Sequence, residues 1–144
     1  MRLWHIDLIP YLPRTQLLAQ WRELNSIFKK QDKHILINYI YNYGKYELQT
    51  YARAVKHEIK SKGYKINENN YFNYFVSLGV DFKNDYTPRY KEHNTEYLLI
   101  CFMNLYEKYL RGQKDFNTET FNRLYDFVNT KIDLTQLGIT KGEI

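Results

Sequence analysis

The chain is poor in the residues that mark several large protein classes. One cysteine, Cys101, in 144 residues excludes an internal disulfide framework and a multi-cysteine zinc site. Three prolines and six glycines are too few for a turn-rich β architecture. No apolar run approaches the roughly 20 residues that cross a bilayer. The opening Met1-Arg2-Leu3-Trp4-His5 lacks the apolar stretch of a signal peptide, so a soluble protein of the cytoplasm is expected. A glycine-rich phosphate loop, an H-E-x-x-H helix and a G-x-S-x-G elbow are also missing. The four histidines (His5, His34, His57 and His93) are scattered, and no metal or organic cofactor is expected.

What is present favours a packed core. Hydrophobic residues make up 44% and charged residues 26%, and the length suits one domain spanning residues 1–144. Aromatic content is high, with 15 tyrosines, more large rings than one small core is expected to hold, so many should lie at the surface. The net charge of +5 is uneven: residues 1–65 carry 12 Lys/Arg against 5 Asp/Glu, and residues 66–144 carry 9 against 11. A basic half rich in tyrosine suits a nucleic acid, since cations neutralise phosphates and rings stack on bases. An ordinary solvated basic surface explains the composition equally well.

Periodicity reads as all-α. The clearest helix runs from Pro13 to Lys30, where Leu17, Leu18, Trp21, Leu24, Ile27 and Phe28 form one apolar stripe. Before it, Leu3 to Pro10 should run extended across the core. A second helix is expected over Tyr46–Lys62, burying Leu48, Ala52, Val55 and Ile59 and stopping at Gly63. His34 to Tyr43 has no assignable pattern. A short helix over Asn70–Leu78 should end at Gly79, and Asp81 to Glu92 reads as a loop. Asn94 should cap a helix reaching Arg111, with Leu98, Cys101, Phe102, Leu105 and Tyr109 inward, ended by Gly112. The last helix is expected over Thr118–Ile132, on Phe121, Leu124, Tyr125 and Val128, followed by a frayed tail. Cys101 and Trp21 are expected in the core, and Trp4 is a candidate to wedge into a nucleic acid.

On the first helix Arg22 and Glu23 fall off the apolar stripe. Glu23 has Ala19 and Ile27 one turn away on either side and so lacks a lysine partner at that spacing. A solvated glutamate accounts for this as it stands. The wider stretch, Leu12-Pro13-Arg14-Thr15-Gln16-Leu17-Leu18-Ala19-Gln20-Trp21-Arg22-Glu23-Leu24, resembles the first helix of the pyrimidine-dimer DNA glycosylases of the phage endonuclease V type. Met1-Arg2-Leu3-Trp4-His5 is similar to the opening of a bacterial and phage branch of that family. Fainter similarities are Lys33-His34, Lys62-Gly63-Tyr64, Asp85-Tyr86-Thr87-Pro88, Glu92-His93-Asn94 and Asn104-Leu105. The resemblance is dense to residue 34 and patchy to about 112, leaving residues 113–144 divergent.

The resemblance implies a compact single-domain helical bundle acting on damaged duplex DNA in a bacterial or phage-infected cell. It implies glycosidic cleavage followed by AP-lyase strand nicking, with the chain's α-amine as nucleophile, here that of Met1, and Glu23 as acid/base. An unperturbed α-amine has a pKa of about 7.7–8.0, so a useful fraction is neutral near pH 7. Arg2, Arg14, Arg22, Lys29, Lys30, Lys33 and Lys108 are the expected phosphate contacts. Three departures stand out: Arg2 follows Met1 and predicts that Met1 is retained, and Gln16 and Ser26 stand where the family carries His and Arg. Two other classes fit the same sequence. One is a catalytically inactive DNA- or nucleotide-binding homologue; the other is a helical module for a protein partner using surface tyrosine rings. Tyr39, Tyr41, Tyr43 and Tyr46 cluster beside the basic half, where stacking on a flipped base competes with core and rim packing, the latter expected for at least half of them.

Overall fold

The structure, a computed structural model, describes residues 1–78 and 87–143. Helix α1 spans Arg14–Lys30, α2 Lys45–Ser61, α3 Asn69–Phe75, α4 Thr95–Leu110 and α5 Thr118–Asn129. No strand occurs among the described residues, and none of their helices is long and apolar enough to cross a membrane. The fold is all-α, as the periodicity requires.

Local groups cap or stop α2, α4 and α5. The side chains of Asn94 and Asn117 accept the N–H groups of Tyr97 and Thr120 at 2.9 and 2.8 Å, which caps α4 and α5. Beyond α2 and α4 the chain reverses through Gly63 and Gly112, both at φ +83°, where any side chain would be strained. Helix α1 buries Leu17, Trp21, Leu24, Ile27 and Phe28, at about 1.5–3 kcal/mol each. It packs on α2 and α3, while α5 packs on α4.

The N-terminal segment joins these two groups, but not as a continuous extended run. Leu3, Trp4 and His5 are buried, then Ile6–Tyr11 wind into a 3₁₀ helix against α2 and α5. His5 Nδ1 accepts the Asp7 N–H at 3.1 Å and closes that turn, and the fixed φ of Pro10 is compatible with it. Residues 38–42, unassigned from sequence, form a second 3₁₀ helix behind a turn at 35–37. Helix α3 is a short α-helix continued by a 3₁₀ turn over Val76–Leu78. The expected stop at Gly79 and the loop residues 81–86 lie outside the described residues, and residues 87–90 are irregular.

Three further expectations are corrected. Of the 14 described tyrosines, only Tyr46 counts as exposed. The others bury much of their rings, and several send hydroxyls to polar partners, as Tyr125 does to the Ile139 carbonyl at 2.7 Å, while the buried Tyr90 hydroxyl has none; this dual nature lets one small core hold many of them. The tail is docked rather than frayed. Leu134 and Ile139 are buried, and Asn122 exchanges two hydrogen bonds with the Gly142 backbone at 2.9 and 3.1 Å. Helix α5 ends at Asn129, three residues early, because Thr130 and Lys131 bond back to Phe127 and Val128 at 3.0 and 2.9 Å.

Candidate active site

The site is organised by Gln20, a wholly buried residue on the core side of α1. Its Oε1 accepts the Trp4 N–H and the Tyr51 hydroxyl, each at 2.8 Å. Its Nε2 donates to the Arg2 carbonyl at 3.0 Å and to Glu23 Oε2 at 3.1 Å. Because Gln20 and Glu23 are three residues apart on a helix, both face the same side, and the carboxamide links the chain's first residues to the Glu23 carboxylate. Helix α4 adds a clamp, with the Tyr97 hydroxyl donating to the Leu3 carbonyl. The Ile6 N–H donates to His93 Nδ1 at 3.1 Å. Residues 2–6 are therefore held by α1, α2, α4 and the turn before α4.

Glu23 is half-buried rather than standing on an open face. Burial raises its pKa above the ordinary glutamate value, opposed by the charge of the terminal amine, by Arg22, and by the amide and guanidinium of Arg2. The net shift is upward, so this carboxyl keeps its proton to higher pH than a solvated one, a property suited to proton transfer. Met1 is exposed. Arg2 is partly buried, its guanidinium 5.9 Å from the Trp4 ring and close enough to Tyr97 and Cys101 to favour their ionised forms. The Cys101 thiol is pushed up by burial, as befits a core residue rather than a nucleophile.

The cations of α1 gather along two clefts that share Arg22. One, of about 430 Å³, is lined by Trp21, Arg22, Asn25, Ser26, Lys29, Lys30, Asn67 and Asn70. The other, of about 380 Å³, is lined by Arg14, Thr15, Leu18, Arg22, Lys114 and Asp115. Arg14, Arg22, Lys29 and Lys30 are thus brought together. Lys33 lies 6.0 Å from the Tyr41 ring, just past the end of α1, and Lys108 sits on the last turn of α4, away from both clefts. Sequence reading did not single out Lys114, brought to the second cleft from the divergent segment, or the Asn67 and Asn70 carboxamides.

Trp21 is core, with its Nε1–H donating to the Asn67 carbonyl at 3.2 Å. His93 is interior too: its Nε2 lies 2.7 Å from the Tyr39 hydroxyl and its ring stacks on His5 at 5.3 Å. Two of the departures have local partners. Gln16 pairs amide to amide with Gln113 at 2.8 and 3.0 Å, and the Ser26 hydroxyl donates to Asp32. Gln20 itself was missed, although a polar residue three positions after Leu17 and four before Leu24, on the apolar stripe, was the available signal.

The matched family covers this arrangement. Residues 1–71 match the family model described as pyrimidine dimer DNA glycosylase. The chain is similar to that family over this segment, just under half of its length. Neither the search of curated proteins nor that of solved structures returns a match. The matched segment contains Gln20, Glu23 and every α1 cation named above, and it stops just inside α3. A family of DNA-repair glycosylases implies DNA as the substrate class, and the cationic clefts lie almost wholly in the matched half.

Proposed function

We propose that the protein is a DNA glycosylase with AP-lyase activity on damaged duplex DNA. The Met1 α-amine attacks C1′ of the target deoxyribose and the damaged base departs. Opening of the sugar ring then gives an imine between the amine and C1′. Loss of a C2′ proton drives β-elimination, which breaks the bond to the 3′ phosphate oxygen. Glu23 handles the protons: its acid form can protonate the opening sugar, and its carboxylate can take the C2′ proton. Arg14, Arg22, Lys29 and Lys30 would neutralise phosphates, with Arg2, Lys33 and Lys108 as outer contacts.

The observation that carries this reading is the Gln20 carboxamide, bonded at once to the Arg2 carbonyl and to Glu23. It fixes the backbone one residue from the amine beside the acid, which is the preorganisation such chemistry needs. Borohydride trapping on a duplex with an abasic site tests it. A covalent adduct that maps to the N-terminal peptide is expected; no adduct from pH 5 to 9 would remove the lyase claim.

A second reading is favoured by Arg2. Methionine is normally trimmed only before a small residue, so the amine stands one residue farther out, up to about 3.8 Å. A displacement of that size can silence the chemistry and leave a DNA-binding protein. Salt-dependent affinity for duplex DNA without any trapped adduct is the outcome that selects it.

A further inference from the structure

Immediately beyond α1 the chain exposes two adjacent large aliphatic side chains. Ile35 is 85% exposed and Leu36 42%. Isolated exposed aliphatics are ordinary; two in succession at the tip of a pinned turn are a shaped feature. The Ile37 and Asn38 N–H groups both donate to the His34 carbonyl at 2.9 Å. The Leu36 N–H donates to His34 Nδ1 at 3.2 Å and the His34 N–H to Asn38 Oδ1 at 2.7 Å. Ile37, with no exposed surface, anchors the base of the turn in the core. The tip is thus rigid before it meets any partner, so little conformational freedom is lost on contact.

Its surroundings are cationic. Lys29, Lys30 and Lys33 precede it within six residues, and Ile35 can lie no more than about 18 Å along the chain from Lys30. The nearby acid, Asp32, accepts a hydrogen bond from Ser26. Protein interface cores are depleted in lysine, whereas a duplex offers phosphates around a stack that apolar side chains can enter.

We propose that Ile35 and Leu36 form a wedge that enters the base stack of duplex DNA at a damaged step, while Lys29, Lys30 and Lys33 hold the flanking phosphates. This rests on the DNA-binding part of the proposed function and adds a lesion-sensing element to it. Unstacking is least costly where a base is missing or damaged, so a wedge favours such steps without reading base edges. The residues are positioning rather than catalytic.

The test uses the full chain and a double variant, Ile35→Ser with Leu36→Ser, on two duplexes. One is intact; the other carries a stable abasic-site analogue beside 2-aminopurine. Wild type should prefer the lesion duplex and brighten the 2-aminopurine on binding. The variant should bind intact duplex with an unchanged salt slope, lose the fluorescence rise, and lose about tenfold of the lesion preference. Equal brightening and preference in both proteins would overturn the wedge and leave the DNA reading standing. So would wild-type binding with no brightening. No wild-type affinity for either duplex at low salt would overturn both. Self-association of wild type that the variant abolishes, without DNA binding, would assign the tip to a protein contact and also overturn the wedge.

Discussion

Asp115 accepts both the backbone N–H and the hydroxyl of Thr15, at 2.7 and 2.8 Å, across 100 residues of sequence. Helix α1 begins after Pro13, whose side chain cannot accept a hydrogen bond, and so its cap comes from the segment between α4 and α5. Burial pushes the Asp115 carboxyl up, but the Thr15 and Gln113 hydrogen bonds outweigh it and its pKa is lowered. The divergent C-terminal part thereby fixes the start of the helix that carries Arg14, Arg22 and Glu23. Asp115→Ala should cost about 1 kcal/mol, the typical worth of a helix cap. Urea unfolding at pH 7 measures it; an unchanged midpoint would mean that water caps α1 equally well.

Gln20 satisfies more backbone groups than any sequence-level role would suggest. Replacing it by the apolar and similarly sized methionine leaves the Trp4 N–H and the Arg2 carbonyl without their side-chain partner. Each buried orphan costs roughly 1–3 kcal/mol, so Gln20→Met should destabilise by about 2–4 kcal/mol. The adduct yield on abasic DNA should fall further than affinity for the intact duplex, since the cationic clefts are untouched. If yield and affinity fall in parallel, Gln20 serves folding alone and not the placement of the terminus.

The long-period features of this fold were readable and the closing contacts were not. Helices α1, α2, α4 and α5 each repeat apolar residues at the helical spacing, and α2, α4 and α5 each have a cap or glycine stop within a residue or two of the expected place. The 3₁₀ turn at Ile6–Tyr11 has no such period: it is closed by the His5 ring and Pro10, a local bond that an apolar run conceals. Tyrosine counts misled because a ring can be buried while its hydroxyl reaches a backbone carbonyl. The docked tail depends on Asn122 meeting Gly142, and the α1 cap on Asp115 meeting Thr15, pairings that follow only from tertiary packing. At the site, Glu23 stands out for lacking a lysine partner at helical spacing, yet its actual partner, Gln20, shows in the sequence only as a polar residue on the apolar stripe.

Glu23→Gln separates chemistry from binding. Loss of a general acid/base should lower turnover by about 10²–10⁴-fold, with DNA affinity near that of wild type. Its raised pKa also has a stability consequence. The unfolded chain releases this proton at lower pH than the folded one, so ionised Glu23 opposes folding once pH passes its folded-state value. Relative to the glutamine variant, wild type should therefore lose stability as pH rises from the ordinary glutamate pKa through the raised one. Denaturant unfolding of both proteins between pH 4 and 8 checks this. A difference that grows on acidification instead would mean a net-favourable ion pair with the terminal amine.

His93 sets a second pH dependence, of opposite direction. Burial, aided by the charge of neighbouring His5, lowers its pKa to about 3, well below the ordinary value near 6.5. With Nδ1 accepting from the Ile6 N–H, the neutral ring carries its proton on Nε2 and donates it to the Tyr39 hydroxyl. Protonation of Nδ1 would break the bond to Ile6 and place a charge between buried rings. The unfolded chain takes up this proton first, so the stability contribution is complete above pH 6.5 and is lost progressively as pH falls toward 3. His93→Asn keeps an acceptor for Ile6 and cannot titrate. Loss of the Tyr39 bond and of ring packing should cost it about 1–3 kcal/mol at pH 7, but its stability should fall less steeply between pH 6.5 and 4. Parallel acid profiles for the two proteins, followed by urea unfolding, would show that His93 is not the group that titrates. They would leave the hydrogen-bonded Asp115 and Glu68, which pairs with Lys56 and Lys60 at 2.7 Å, both lowered, to account for the acid lability.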